Sequence, residues 1–407
     1  GFGSQSFRLS NAITSGSFGN MAFSKPNANE AGETSATNGG LSGGTRQNYF
    51  ESQFSITTTT TSHQPGLSMS TAPDRGDGAR MSYLRFEDQA DGIHVFFDDF
   101  QDLAPFGTAN GDDANGCNAG GDDFFEYDIA TLNRTTPHLI KYVIFFNDGP
   151  RNDVVQIYID GVLVRTGTTW EDYFRFCAEA NADNNTHTVD SLLFRTAGTA
   201  HPEHSGNGFL IDNMNAAVLS SVLYVDDDGT ADSSGCDVAT PSLSTIPAAV
   251  AAAAPGGTIH FCPGTYVGDP VIDKPLTILG PNAAINPNTG VRLAEATILP
   301  AASAPNPAVC EVMTYVGSNN VTIKGFTFDG DNPALTSGIL IGSADVDACE
   351  IIAGYDGIGN ITVENNILKH STYSGVDFYN YYNDAATSNN YIRYNRFESI
   401  GETTYNW

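Results

Sequence analysis

The side chains of this chain that could do chemistry are mostly carboxylates, and several of them come in pairs. Asp98 and Asp99 close the apolar run Gly92-Ile93-His94-Val95-Phe96-Phe97, where a loop would offer two hard oxygens to Ca²⁺. Asp112-Asp113 and Asp122-Asp123 lie in a Gly/Asn-rich stretch around Cys117. Asp226 and Asp228 belong to Asp226-Asp227-Asp228-Gly229-Thr230-Ala231-Asp232, part of a calcium-loop pattern. The closing Glu and full spacing of an EF-hand are missing, and a turn at a domain junction explains the same residues. Calcium is thus the cofactor these residues could hold, although paired loop acids are more often simply solvated. Nothing calls for an organic cofactor.

Farther along, Asp377 and Asp384, with Arg393 and Lys369-His370, are candidates for acid–base work, as are Asp329 with Asp331 and Asp345 with Asp347. Two carboxyls at a suitable separation can act as general acid and base on a glycosidic bond. Trp170 and Tyr173, with Phe174 and Phe176, offer flat faces on which a sugar could stack, against the alternative of core packing. His201 and His204 flank Pro202-Glu203, a weak metal pattern without a clear third ligand. The six cysteines form no CxxC pair, which argues against structural zinc. Their even number suggests disulfides and an oxidising compartment, with Cys236–Cys262, Cys310–Cys349 and Cys117–Cys177 as the proposed pairs and buried free thiols as the alternative.

The elements that must position these residues are strands. Tyr49-Phe50-Glu51-Ser52-Gln53-Phe54-Ser55-Ile56 and Met81-Ser82-Tyr83-Leu84-Arg85-Phe86 alternate with period two. Asp153 to Ile159 turns at Asp160-Gly161 into Val162-Leu163-Val164, a hairpin with its turn residues in place. Helical periodicity is nearly absent until Ile246 to Ala254, an Ala-rich stretch after which Pro255-Gly256-Gly257 predicts a stop. At 407 residues the chain exceeds one ordinary domain. Its character changes near residue 220, giving domains over 1–218 and 222–407. From there Asn320 to Phe328, Asn360 to Leu368 and Asn390 to Phe397 repeat one pattern of strand, Gly/Asn turn and strand. Inward Asn residues at those turns would stack as a ladder. The wider first interval predicts an inserted loop containing Cys349.

With 47 acidic against 18 basic residues, the net charge of −29 disfavours nucleic acid and anionic membrane surfaces as partners. No apolar run reaches the roughly 20 residues of a membrane span, so membrane insertion is not expected. The start, Gly1-Phe2-Gly3, predicts a processed product of an exported protein.

Two resemblances follow. The order His138-x-Ile140-Lys141 … Asn152-Asp153-Val154-Val155-x-Ile157-Tyr158-Ile159-Asp160-Gly161 … Thr169-Trp170-Glu171-Asp172-Tyr173, then Ser191-Leu192-Leu193-Phe194-Arg195 and Gly208 to Asn213, resembles the laminin-G/concanavalin-like jelly-roll module of secreted bacterial surface proteins. That resemblance implies an antiparallel β-sandwich that binds glycans or protein partners, often with calcium, or serves as a spacer. From residue 222, the Ala-rich helix followed by Gly257-Thr258-Ile259 … Pro263-Gly264-Thr265-Tyr266 resembles the pectin-lyase-like right-handed parallel β-helix with a short N-terminal capping helix. Enzymes of that fold that cut polysaccharides carry signatures this chain lacks, including Asn-Thr-Asp and Gly-His-Gly. The final strand precedes no recognisable cap, so the reading expects either more chain or a second copy stacked on the open end. The combined expectation is an all-β, secreted surface or matrix protein whose partner is a polysaccharide or surface glycoprotein. The alternatives are a polysaccharide lyase or hydrolase, and a subunit of an extracellular filament.

Overall fold

The computed structural model describes residues 5–14, 19–25, 27, 48–74, 80–100, 124–147, 152–170, 189, 191–228, 236, 243–303, 311–355, 357–379 and 389–401. The chain divides into two compact units, Gly1–Leu219 and Ser220–Trp407, and nearly all of its regular structure is strand.

The first unit contains β1 (Phe7–Leu9), β2 (Asn20–Phe23), β3 (Tyr49–Thr58), β4 (Ser68–Asp74), β5 (Tyr83–Asp88), β6 (Ile93–Phe100), β7 (Phe124–Leu132), β8 (His138–Phe145), β9 (Val154–Ile159), β10 (Val162–Gly167), β11 (Ser191–Thr196) and most of β12 (Phe209–Val225). One antiparallel sheet runs β10-β9-β8-β3-β12, with β1 also on β12, and the other runs β2-β11-β4-β5-β6-β7. Period-two alternation decides which side chains meet between them. Phe54, Ile56, Ile140, Tyr142 and Ile157 from the first sheet share one core with Leu84, Phe86, Val95, Phe97 and Phe194 from the second. Phe54 packs edge-on against Phe194, centroids 5.2 Å apart, and against Phe86 at 6.1 Å. The Tyr142 hydroxyl, fully buried, donates to the Thr71 carbonyl at 2.9 Å, so its polar end is satisfied within that core. At the β9–β10 turn, Asp160 and Gly161 take φ of 51° and 81°, the two left-handed residues of a type I′ turn.

The second unit contains the helix α1 (Ile246–Ala252) and β13 (Ala253–Phe261), β14 (Gly264–Val267), β15 (Val271–Ile272), β16 (Thr277–Leu279), β17 (Ala296–Leu299), β18 (Val312–Val316), β19 (Thr322–Lys324), β20 (Thr327–Asp329), β21 (Leu340–Ile341), β22 (Ala344–Asp345), β23 (Glu350–Tyr355), β24 (Thr362–Glu364), β25 (Ile367–Ser371), β26 (Ser374–Tyr379), β27 (Tyr391–Arg393) and β28 (Arg396–Ile400). Its strands fall into three parallel series, β13-β16-β19-β24-β27, β14-β17-β20-β25-β28 and β15-β18-β23-β26. Apolar side chains stack in register along the first two: Ile259, Ile278, Ile323, Val363 and Ile392, then Tyr266, Ile298, Phe328, Leu368 and Phe397. The rows are buried as far as Val363 and Leu368, whereas Ile392 and Phe397 are 47% and 48% exposed.

Turns repeat with the strands. Asn320, Asn360 and Asn389 all have left-handed φ, between 60° and 71°, which Asn tolerates better than most residues. A second turn uses Gly325 at φ +84°, where an added Cβ would lie 2.1 Å from the Ala283 nitrogen. An Asn ladder is present beside it. Buried Asn366 accepts from Phe326 N–H at 3.0 Å and donates to the Ile323 carbonyl at 3.1 Å, and Asn395 accepts from Asn366 N–H at 2.9 Å.

Two local expectations change. The helix ends at Ala252, and Pro255-Gly256-Gly257 lies within β13 at a register shift against β12 rather than at a helix stop. Pro255 cannot donate to an i−4 carbonyl and disfavours a helical Ala254, so the Ala run cannot continue as helix. The wide interval holds the β21–β22 hairpin, while Cys349 directly precedes β23 and is not within the insertion. Among the described residues, no helix is long and apolar enough to cross a membrane.

Candidate functional site

The strand alternation that sends Leu84, Phe86, Val95 and Phe97 into the sandwich core places Tyr83, Arg85, His94, Phe96 and Asp98 on the opposite face of the six-stranded sheet. Register then assembles two rows across the strands. Arg195 lies opposite Ser70, Ser70 opposite Arg85, Arg85 opposite Phe96, and Phe96 opposite Asp128. In the neighbouring row Tyr83 lies opposite Asp98, and Asp98 opposite Glu126. Most of these side chains are half-buried, with Glu126 and Asp128 exposed.

Arg85 is fully engaged. Its guanidinium lies 4.0 Å over the Phe96 ring, bonds Glu126 Oε1 at 2.6 and 3.0 Å, and bonds Glu87 at 2.6 Å. His94 bridges Asp128 at 2.7 Å and Asp91 at 2.9 Å; burial works against its imidazolium, but these bonds outweigh it and hold the group above its ordinary value. Asp98 is the opposite case. Burial, then the Glu126 charge, push its carboxyl up to about 6 despite Arg85 and Arg80. Beside this row, Tyr83 stacks on Trp170 at 5.7 Å and the Arg80 guanidinium lies 5.6 Å over the same indole. Flat faces, cations and an acid poised to titrate thus share one sheet surface, the set of groups a glycan engages by stacking and hydrogen bonding.

The residues singled out from the sequence are placed differently. Trp170 is only 7% exposed: it belongs to the core cluster, its rings meet Tyr83 and Phe124, and its Nε1–H donates to the Asp98 carbonyl at 2.9 Å. It supports the face rather than presenting a stacking surface of its own. Tyr173 lies outside the described residues. Asp98 and Asp99 sit within β6, not in a loop, so their side chains leave opposite faces and cannot grip one ion. Asp99, 1% exposed, accepts from Thr168 N–H at 2.8 Å and its hydroxyl at 3.0 Å. Asp226 is buried and Asp228 exposed, and the rest of that loop lies outside the described residues. The acid between them, Asp227, accepts from Thr265 N–H at 2.8 Å.

His201, Glu203 and His204 do converge, their ligand atoms lying within 4.8 Å. Yet His204 is 2% exposed with ring nitrogens 2.9 Å from Asn11 Oδ1 and 3.1 Å from the Pro65 carbonyl, so both are already committed. Cys236 and Cys262 are disulfide-bonded. Cys349 is also disulfide-bonded, while Cys310, Cys117 and Cys177 lie outside the described residues.

In the second unit the suggested acid–base group is dispersed. Asp377 is on β26, Arg393 on β27 and Lys369-His370 on β25, each in a different parallel series, and Asp384 lies outside the described residues. Arg393 instead pairs with Glu364 at 3.2 Å, beside Lys324 at 2.9 Å. Lys369 and His370 both bond Asp329 at 2.7 Å, while burial and then Asp329 raise the neighbouring Asp331 carboxyl. Asp377 has a different partner. Burial raises the Glu350 carboxyl, the Tyr355 hydroxyl donates to it and lowers it, and Asp377 raises it again. Glu350 was not singled out from the sequence because nothing local announces that β23 and β26 bring it beside Asp377.

No family model matches the sequence, and no curated protein matches it. Solved structures to which part of the chain is similar include a mutant of the alginate lyase Aly36B with an alginate trisaccharide (14% identity, 42% of this chain, 71% of that chain, TM-score 0.27). The Emp46p carbohydrate recognition domain, in potassium-bound form, is similar at 8% identity over 50% of this chain and 79% of that one, TM-score 0.26. A sialidase is similar at 13% identity and TM-score 0.25 over 43% of this chain, which spans 14% of that protein's length. At these scores the likenesses assign neither a substrate nor an activity to this chain.

Proposed function

We propose that this is a secreted surface or matrix protein whose first unit, a jelly-roll sandwich, binds a polysaccharide or surface glycoprotein on the outer face of its six-stranded sheet. The observation that carries the reading is the two-row array of Tyr83, Asp98 and Glu126 beside Arg195, Arg85 and Phe96, backed by Trp170. The second unit is read as a right-handed parallel β-helix with α1 capping its first pass, serving as a stalk or assembly element. The three parallel series and their stacked apolar rows support this reading.

A second reading, a polysaccharide lyase or hydrolase, is favoured by one observation: on the paired strands β23 and β26, burial and the Asp377 charge raise the Glu350 carboxyl, as a general acid requires. Incubating the chain with neutral and acidic polysaccharides, with and without calcium, and scoring bound protein and released fragments together, separates the two. Binding without fragments supports the first reading. Unsaturated or reducing-end products abolished by Glu350→Gln replace it with the second, and an absence of both binding and products removes both.

A further inference from the structure

Within the glycan-binding face just described, we propose that Asp98 is the acceptor that orients the sugar, and that the polymer it takes is an uncharged polysaccharide with hydroxyls on adjacent ring carbons. The inference rests on the proposed glycan reading and names the class of polymer that site would take.

Asp98 differs from the other carboxyls of this face in having nothing to hold it. Glu126 bonds Arg85 at 2.6 and 3.0 Å, Glu87 bonds the same guanidinium at 2.6 Å, and Asp128 bonds His94 at 2.7 Å. Among the described residues the Asp98 carboxyl accepts no hydrogen bond and joins no ion pair; burial and neighbouring charge alone act on it. It is half-buried, and neither of its oxygens is sealed from solvent. An ionised acid that is partly desolvated and unpaired costs stability, and hydrogen-bond donors on a ligand would offset that cost.

Strand register supplies the rest of the site. Tyr83 on β5 and Glu126 on β7 lie directly opposite Asp98, at the ~4.5–5.5 Å Cβ spacing of such pairs. Tyr83 stacks at 5.7 Å on Trp170, which is 7% exposed, so the Tyr83 face turned away from the indole is the one a sugar ring can meet. The indole is fixed in turn, its Nε1–H donating to the Asp98 carbonyl at 2.9 Å. A pyranose packed on Tyr83 by its C–H face carries its hydroxyls around the ring edge, beside the carboxyl one strand away. A carboxylate only accepts, through two oxygens, so it matches two neighbouring hydroxyls that both donate.

Charge around Asp98 selects an uncharged ligand. A uronate or sulfate ester at this point would face Asp98 itself, with Glu126 next to it. An ammonium would face Arg85, the diagonal neighbour of Asp98 across β5 and β6, whose guanidinium is bound to Glu126. Hydroxyls meet neither repulsion. Burial pushes the Asp98 carboxyl up to about 6, which still leaves the acceptor ionised at neutral pH.

The test is affinity electrophoresis of the whole chain at neutral pH in gels containing galactomannan, polygalacturonate, or the carboxyl-reduced, uncharged form of polygalacturonate. Added NaCl screens the long-range repulsion between the acidic chain and the polyanion. The expected result is retardation by at least one of the two uncharged polymers. Asp98→Asn should weaken that binding about tenfold, the loss expected for charge-assisted acceptance, without weakening any binding of polygalacturonate and without lowering the melting temperature. Should Asp98→Asn not fold, Asp98→Ser takes its place. A folded variant that binds the uncharged polymer as well as the unaltered chain does overturns the assignment and leaves the glycan reading standing. So does tighter binding of polygalacturonate than of its uncharged form by the unaltered chain. Loss of binding together with a lowered melting temperature makes the role of Asp98 structural and also overturns it. Failure to bind any of the three polymers overturns the assignment and counts against the glycan reading as well.

Discussion

Replacing Asp98 by Asn should make the first unit more stable at neutral pH and leave it unchanged at about pH 3. Asp98 has no hydrogen bond that the amide would forfeit through its carboxylate; its recorded neighbours act through charge and burial. In the fold its carboxyl titrates at about 6, against an ordinary 3.8. Below about pH 3 folded and unfolded chains both carry the proton and the residue costs nothing. As the pH rises the unfolded chain ionises first, so the penalty on the folded state grows and is complete somewhat above pH 6. The full penalty would be about 3 kcal/mol, and because the side chain is partly exposed, solvent screening reduces it to roughly 1.5 kcal/mol. Asp98→Asn should therefore raise the melting temperature of a unit this size by roughly 3–6 °C at pH 7.5. Trp170 lies in the core of the same unit, so its fluorescence in a Trp407→Phe background reports this transition alone. Destabilisation at pH 7.5, or an equal shift at both pH values, would refute the reasoning. An acid retained at a cost in stability is what a binding site is expected to contain.

Three further outcomes concern the second unit. Replacing Cys236 and Cys262 together by Ser removes a cross-link spanning 26 residues of sequence and should cost about 3.5 kcal/mol by loop entropy, measured by urea unfolding against the unaltered chain. Asn366→Ala leaves the buried Phe326 N–H without its acceptor and should cost about 1–3 kcal/mol, with faster amide exchange at Phe326. Arg393→Ala, by contrast, breaks a half-exposed ion pair and should change stability by less than about 1 kcal/mol in the same assay, without affecting any polysaccharide activity.

Much of the framework was readable because it rests on local chemistry. Asp160-Gly161 specified a hairpin turn, and the repeat placed Gly/Asn turns at Gly325 and Asn365, both of which take positive φ. The even cysteine count suggested disulfides, and the proposed Cys236–Cys262 pair is present. The candidate site was less legible for a physical reason: its members meet through register between strands distant in sequence. Tyr83 and Arg85 could have been found by reading the outward face of a segment whose alternation was plain. Arg195 and Asp98 needed the pairings of β11 with β4 and of β5 with β6. The acidic pairs misled because consecutive residues in a strand point apart, so Asp98-Asp99 looked like a chelating pair while one carboxyl faces outward and the other lies buried against Thr168. Pro255 was legible as the stop of the Ala-rich helix after Ile246, but the helix gives way two residues sooner, after Ala252, because Ala253 and Ala254 are taken into β13.

The central claim is that the outer face of the six-stranded sheet holds a polysaccharide, and a paired substitution tests it most directly. Tyr83→Ala alters that face, whereas Tyr158→Ala alters the outward side of β9 in the other sheet. With a retained polysaccharide immobilised on a sensor surface, the account predicts at least tenfold weaker binding for a folded Tyr83→Ala, in line with the loss of a stacking contact, and binding within about twofold of the unaltered chain for Tyr158→Ala. Unchanged binding by Tyr83→Ala, or equal loss in both variants, would contradict it.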